Sequence, residues 1–279
     1  MQNKPFIPAV NQNSSQVSQD WRQIEQNWIL APKHPKAVVH FLGGAFFAAA
    51  PHITYRRLLE AIAAQGYVVV ATPFLNSSFD HRQIATEIHQ SFRRVRSKLF
   101  LDFFPVFGIG HSMGCKLQLL LNSYFAPERK GNIFIAHNNY SADRSIPLFK
   151  ELSGTIAEMK GIEFSPSPYA TEVLIDQSYR VANNLLIKFE SDDIDQILPL
   201  TRQLQRKFAN TIELRILPGN HLTCAGVELN WQTGGNFSPL DAIAQWMKQE
   251  IYRNNQTLEQ AVLEWLELQL ASKDLGKAD

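Results

Sequence analysis

Six short apolar runs punctuate the chain, and the stretches between them carry helical periodicity. That alternation restricts the available folds more than any other feature. The runs are "AVVHFL" (37–42), "YVVVATPF" (67–74), "FPVFGIG" (104–110), "NIFIAHNNY" (132–140), "NNLLIKFE" (183–190) and "TIELRILPG" (211–219). The first three are nearly unbroken in apolar character rather than alternating, the pattern of a strand buried on both faces. Between them lie "TYRRLLEAIAAQG", "HRQIATEIHQSFRRVRSKLF", "CKLQLLLNSYF" and "DQILPLTRQLQRKFA", whose apolar residues recur at helical spacing. Two further helices are expected at 239–253 and 257–271. Strand–helix–strand repetition requires crossover connections, so the fold class expected is α/β, a mostly parallel sheet covered by helices on both faces.

Two segments depart from the rhythm. Residues 1–20 are rich in Gln, Asn and Ser without apolar periodicity and read as a flexible lead-in, so the folded domain is expected to span 21–279, opening with two short extended pieces in "WRQIEQNWILAP". Residues 141–183 separate two strands by about forty positions, longer than a plain crossover needs, and are expected to form a helical cap.

Composition excludes several functions. With 27 Lys and Arg against 26 Asp and Glu, no net field favours nucleic acid. The basic run Arg93, Arg94, Arg96 and Lys98 is expected to be a solvated helix face, with peripheral contact to an anionic headgroup or acidic partner as the alternative. No apolar stretch is long enough to span a membrane, and the N-terminus lacks the basic and apolar regions of a signal peptide. The two cysteines, Cys115 and Cys224, have no metal-type spacing. A reducing, cytoplasmic setting is expected, with no metal and no cofactor.

Chemistry enters at "GHSMG" (110–114), a Gly-x-Ser-x-Gly pentapeptide between the third apolar run and a helix. At average Gly and Ser usage such a spacing recurs by chance in roughly one chain in ten of this length, so its surroundings must decide. A strand before and a helix after are the surroundings of a nucleophile elbow, which makes Ser112 the candidate nucleophile. A serine hydroxyl is weak alone and needs a base, an acid that orients the base, and donors for the oxyanion. His221 follows the last strand and is the candidate base. "SDDID" follows the strand before it, and three aspartates compete there. Asp193 is the preferred acid and Asp192 the alternative, with Asp195 and Asp143 behind them. Oxyanion donors are expected from the backbone of Met113 and of Gly44 or Ala45, in the Gly-rich loop after the first run. His111 and Cys115, which flank the elbow, are expected to pack rather than act.

The order Ser, Asp, His, each just after a strand, resembles the α/β-hydrolase superfamily over about residues 36–253. More narrowly, "HFLGGAFFAAAPHITYRRLLEAIA", "GIGHSMGCKLQLLL", "LLIKFESDDIDQI" and "LPGNHLT" resemble the family called domain of unknown function 1350, known from cyanobacteria and plant plastids. The resemblance implies a serine-hydrolase-like protein, and the triad is expected to cleave a carboxylic ester or thioester through an acyl-enzyme on Ser112. The alternatives are a non-catalytic binding or assembly protein on the same fold, or an acyltransferase using the same triad. An apolar or lipid-like acyl substrate is favoured by Phe46, Phe47 and the alanines after them, and by the apolar content of the expected cap.

Overall fold

A computed structural model describes residues 20–45, 47–75, 79–140, 164–225 and 251–272. All six apolar runs become strands, and "WRQIEQNWILAP" adds a hairpin. The strands are β1 (Arg22–Ile24), β2 (Asn27–Leu30), β3 (Ala37–Leu42), β4 (Tyr67–Ala71), β5 (Val106–His111), β6 (Gly131–Ile135), β7 (Asn184–Phe189) and β8 (Ile212–Leu217). They form one sheet in the order β1-β2-β4-β3-β5-β6-β7-β8. The pairs β1/β2 and β2/β4 are antiparallel and the rest are parallel. Every residue of β3, β4, β5 and β6 is buried, which is why their sequences do not alternate.

The helices are α1 (Pro51–Thr54), α2 (Arg56–Ala64), α3 (His81–Lys98), α4 (Met113–Phe125), α5 (Pro168–Ser178), α6 (Ile197–Phe208) and α7 (Ile251–Ala271). Side chains alternate across a strand, so each strand feeds two cores. Val39 and Phe41 of β3 join Ile109, Ile133 and Ile187 beneath α2 and α7, where Leu59, Val262 and Trp265 close the layer. On the opposite face Leu42 meets Leu117 and Leu121 of α4 and Ile84 and Ile88 of α3, while Phe134 and Leu186 meet Ile175 of α5 and Leu204 of α6.

Two expectations change. The first is the cap over 141–183. Residues 141–163 lie outside the described part of the chain, but Pro168–Ser178 is a body helix whose Ile175, with Tyr179 just beyond it, is buried in the α4/α6 core. The cause is topological: parallel β6 and β7 need a crossover helix, and α5 supplies it. "SPSPY" marks its start, since the Ser167 hydroxyl caps Ala170 and Pro168 occupies the first turn, where proline is tolerated. The second change is at the C-terminus, where one helix runs through the expected break at 254–256, because Asn-Asn-Gln contains neither the glycine nor the proline that would stop it. Residues 239–250 lie outside the described part.

Among the described residues no helix is long and apolar enough to cross a membrane. In the basic run, Arg94 and Lys98 face Glu25, and Arg96 faces Asp102, so three of the four charges have acidic neighbours within the protein. Cys115 and Cys224 are buried free thiols, each held well above the ordinary thiol range chiefly by burial.

Candidate active site

The carboxyl ends of β3, β5, β7 and β8 deliver the groups that matter, the edge at which α/β sheets place their ligands. β5 ends at His111, and the chain turns through Ser112 at φ 52° and ψ −120° straight into α4. A positive φ is uncommon for a residue with a side chain, so the turn has to be held by its neighbours. The Ser112 amide donates to the Ile135 carbonyl at 3.0 Å, and the Ser112 carbonyl accepts from the Cys115 amide at 3.0 Å. The glycines at 110 and 114 remove side chains where none fits. A Cβ on Gly110 would lie 2.7 Å from the Cys115 backbone, and one on Gly114 would lie 2.2 Å from the Leu42 carbonyl oxygen.

Beyond β8, Gly219 at φ 129° turns the chain, and the Thr223 hydroxyl accepts from the Asn220 amide at 2.8 Å. This small loop aims His221 across the sheet edge. Its Nε2 lies 2.9 Å from Ser112 Oγ and its Nδ1 lies 2.8 Å from Asp192 Oδ2. Because a carboxylate only accepts, the imidazole carries its proton on Nδ1 and presents a bare Nε2 to the serine hydroxyl.

The carboxylate that meets His221 is therefore that of Asp192 and not of the preferred Asp193. The reason is local. Asp192 Oδ1 accepts from the amides of Ile194 and Asp195 at 3.0 and 3.1 Å, a turn closed by its own side chain, which leaves Oδ2 for the histidine. Asp193 rides on the outside of that turn, exposed to solvent. Asp195 points elsewhere, pairing with Lys188 and accepting from the Ile197 amide at the start of α6. Asp143 lies outside the described residues. Burial pushes the Asp192 carboxyl up, but the hydrogen bond and charge of His221, with help from the Ile194 amide and Lys188, hold it below the usual carboxylate value.

The loop after β3 lies against the elbow: a Cβ on Gly44 would sit 3.3 Å from Ser112 Cβ. Of its two candidate donors, Gly44 is committed, since its amide donates to the Tyr55 hydroxyl at 2.7 Å. Among the described residues, no hydrogen bond engages the amide of Ala45 or of Met113. Two residues escape sequence reasoning or are underrated by it. Tyr55 lies 11 positions from Gly44 with nothing to link them, and His111 does more than pack, with Nδ1 2.9 Å from the Tyr55 hydroxyl and Nε2 2.8 Å from the His221 carbonyl oxygen.

The family described as "Protein of unknown function (DUF1350)" matches residues 20–268. The chain belongs to the DUF1350 family. No curated protein sequence matches it. Solved structures similar to this DUF1350 chain include an esterase of Pyrococcus furiosus, at 13% identity with 87% of this chain and 85% of that one covered and a TM-score of 0.58. Carboxyl esterase 2 of the fungus Tuber melanosporum aligns at 16% identity, 86% and 90% coverage and a TM-score of 0.54. A carboxyl esterase of Bacillus coagulans aligns at 11% identity, 88% and 94% coverage and a TM-score of 0.55. These likenesses establish the α/β-hydrolase fold for the DUF1350 chain.

One turn along α4 from Ser112, Lys116 is only 1% exposed. Its Nζ donates to the Pro166 carbonyl at 3.0 Å and lies 5.4 Å from the Phe164 ring centre, and burial lowers its pKa from 10.5 to about 7. An unfolded chain keeps that proton up to about 10.5. Between pH 7 and 10.5 the unfolded state thus binds more protons than the folded one, and stability rises with pH by up to about 1.4 kcal/mol per unit. Lys116→Met forfeits one hydrogen bond, worth about 1 kcal/mol, but removes the buried charge. The variant is expected to be more stable than the parent at pH 6 by about 1–3 kcal/mol, with the difference shrinking by pH 9.5. Urea midpoints at the two pH values check this, and a pH-independent difference would show that Lys116 is not the titrating group.

Proposed function

We propose that the protein is a serine hydrolase acting on a carboxylic ester or thioester. The observation that carries this reading is the continuous hydrogen-bonded chain from Asp192 through His221 to Ser112 at a strained strand-to-helix turn. Ser112 Oγ attacks the acyl carbon as its proton passes to His221 Nε2, and the negative charge that develops on the acyl oxygen is met by the amides of Met113 and Ala45. The imidazolium, held by Asp192, then gives its proton to the departing alkoxide or thiolate, leaving an acyl-enzyme. Water, deprotonated by the same Nε2, releases the carboxylic acid and restores the serine. The fold shared with esterases supports the class without naming a substrate.

An apolar acyl group fits the elbow best. Met113, next to Ser112, joins a buried apolar cluster with Leu42, Ala48 and Phe74, and Ala45 packs against it. Phe47 packs on the other core, while Phe46 and residues 146–159, expected to add apolar surface, lie outside the described part. A cavity of about 140 Å³ lined by His137, Asn139, Glu172 and Arg206 lies between α5 and α6; neither Ser112 nor His221 lines it.

The test is labelling by a fluorophosphonate, which phosphonylates an activated serine. The parent protein should label and Ser112→Ala should not. Equal labelling of both would place the nucleophile elsewhere, and no labelling of a folded parent would favour the non-catalytic alternative. With p-nitrophenyl esters, kcat/KM is expected to rise from acetyl to about octanoyl, each buried methylene adding up to about 0.8 kcal/mol. A preference for acetyl would remove the apolar acyl group from the proposal.

A further inference from the structure

Three separate pieces of chain meet at the candidate site: the loop after β3, the elbow after β5 and the loop after β8. A single line of hydrogen bonds passes behind them. The Gly44 N–H donates to Tyr55 Oη at 2.7 Å, Tyr55 Oη lies 2.9 Å from His111 Nδ1, and His111 Nε2 lies 2.8 Å from the His221 carbonyl oxygen. The ends of this line fix every proton in it. A carbonyl only accepts, so His111 Nε2 carries hydrogen. Its Nδ1 must then accept, so the Tyr55 hydroxyl donates there and takes the Gly44 N–H on its lone pair. No other assignment satisfies all four groups.

The surroundings leave the line little freedom. Tyr55 is fully buried and His111 only 1% exposed. The tyrosine sits at the α1/α2 junction, its amide donating to the Pro51 carbonyl and its carbonyl accepting from Leu59. Its ring lies against Gly43, where a Cβ would be 2.7 Å from Cε2. The His111 and His221 rings are 5.2 Å apart. Burial, followed by the neighbouring His221, takes the His111 pKa down to about 3, and burial lifts the Tyr55 hydroxyl well above its ordinary value. Both stay neutral at any pH at which the protein would work, so the tautomer does not change.

We infer that Tyr55 and His111 are positioning residues that tie the oxyanion loop to the backbone of the base. By holding the Gly44 amide, Tyr55 fixes the peptide next to Ala45 and hence the direction of the Ala45 N–H. By holding the His221 carbonyl, His111 fixes the residue whose ring must reach both Ser112 and Asp192. The hydroxyl thus couples two functions that the fold builds on strands separated by three others, since β3 and β8 are not neighbours. This inference rests on the hydrolase reading, in that the amide and the imidazole have work to do only if Ser112 is acylated.

Tyr55→Phe removes the one oxygen and leaves the ring in place. The expected result is a fall in kcat, and in the fluorophosphonate labelling rate, of about 10–100-fold, with KM changed by less than about threefold, because the oxyanion donor acts in the transition state. His111→Leu should lose at least as much. His111→Gln, whose amide nitrogen reaches the position of Nε2 and can still donate to the His221 carbonyl, should recover part of the rate. Parental kcat and labelling in Tyr55→Phe would overturn the inference, as would equal rates in His111→Leu and His111→Gln. If His111→Leu does not fold, Tyr55→Phe alone decides. If the parent itself fails to label, the hydrolase reading falls separately, and crystal structures of the parent and Tyr55→Phe decide the coupling: a displaced Gly44 peptide or His221 carbonyl supports it, and unmoved loops refute it.

Discussion

In Asp192→Asn, kcat for any ester the protein hydrolyses is expected to fall by about 10⁴-fold, while Asp193→Asn stays within about twofold of the parent. The size of the first effect follows from proton placement. Asp192 Oδ2 accepts from His221 Nδ1 at 2.8 Å, and an asparagine amide presented at that point would donate instead, turning the imidazole to the tautomer whose Nε2 carries hydrogen. Such an Nε2 cannot take the Ser112 proton. The asparagine can still close the turn, because its carbonyl oxygen can accept from the Ile194 and Asp195 amides as Oδ1 does now, so the fold should survive. Asp193 makes neither contact. Equal losses in the two variants, or a loss confined to Asp193→Asn, would show that the turn after β7 is built differently in solution.

The second large effect concerns stability. Gly114→Ala adds a single methyl at the first turn of α4, but that methyl would lie 2.2 Å from the Leu42 carbonyl oxygen and 2.5 Å from that of Gly43. Both are backbone atoms, the first in the centre of the sheet, so no side-chain rotation relieves the clash, and α4 has to move away from β3. A loss of about 3 kcal/mol or more is expected, seen as a fall in Tm of about 6–12 °C. Labelling at Ser112 should fall with it, since the elbow and the loop that faces it separate. An alanine variant with parental Tm would mean that the helix and the loop are not in contact.

The elements legible in the sequence are those that period and punctuation determine. "AVVHFL" becomes β3 with the same bounds, and the third run feeds directly into the elbow, because unbroken apolar runs of this length between helical stretches read as buried strands, and Gly-x-Ser-x-Gly between such a run and a helix reads as a tight turn. Ser112 and His221 can be picked out because each stands just past such a run. The acid cannot, because three aspartates within four positions share that description, and the choice among them is made by a turn that Asp192 closes with its own carboxylate. An aspartate followed at two and three positions by free amides is the signal that favours it. Tyr55 leaves no trace at all: its role depends on α1 and α2 bringing it back over Gly43 and Gly44. Likewise, nothing in "SPSPYATEVLIDQS" distinguishes a crossover helix from a cap until β6 and β7 are known to be parallel neighbours.

His221 is hydrogen-bonded to a serine 109 residues away and to an aspartate 29 residues away, each on a different strand end. Such a site has no partial form. A nascent or truncated chain that has built β3 to β6 carries Ser112 as an ordinary hydroxyl, because the groups that would sharpen it arrive only when β7 and β8 add to the growing edge. On the proposed hydrolase reading, the chain is thus chemically silent while its strand edges are open, and reactivity at Ser112 comes only once β7 and β8 are in place.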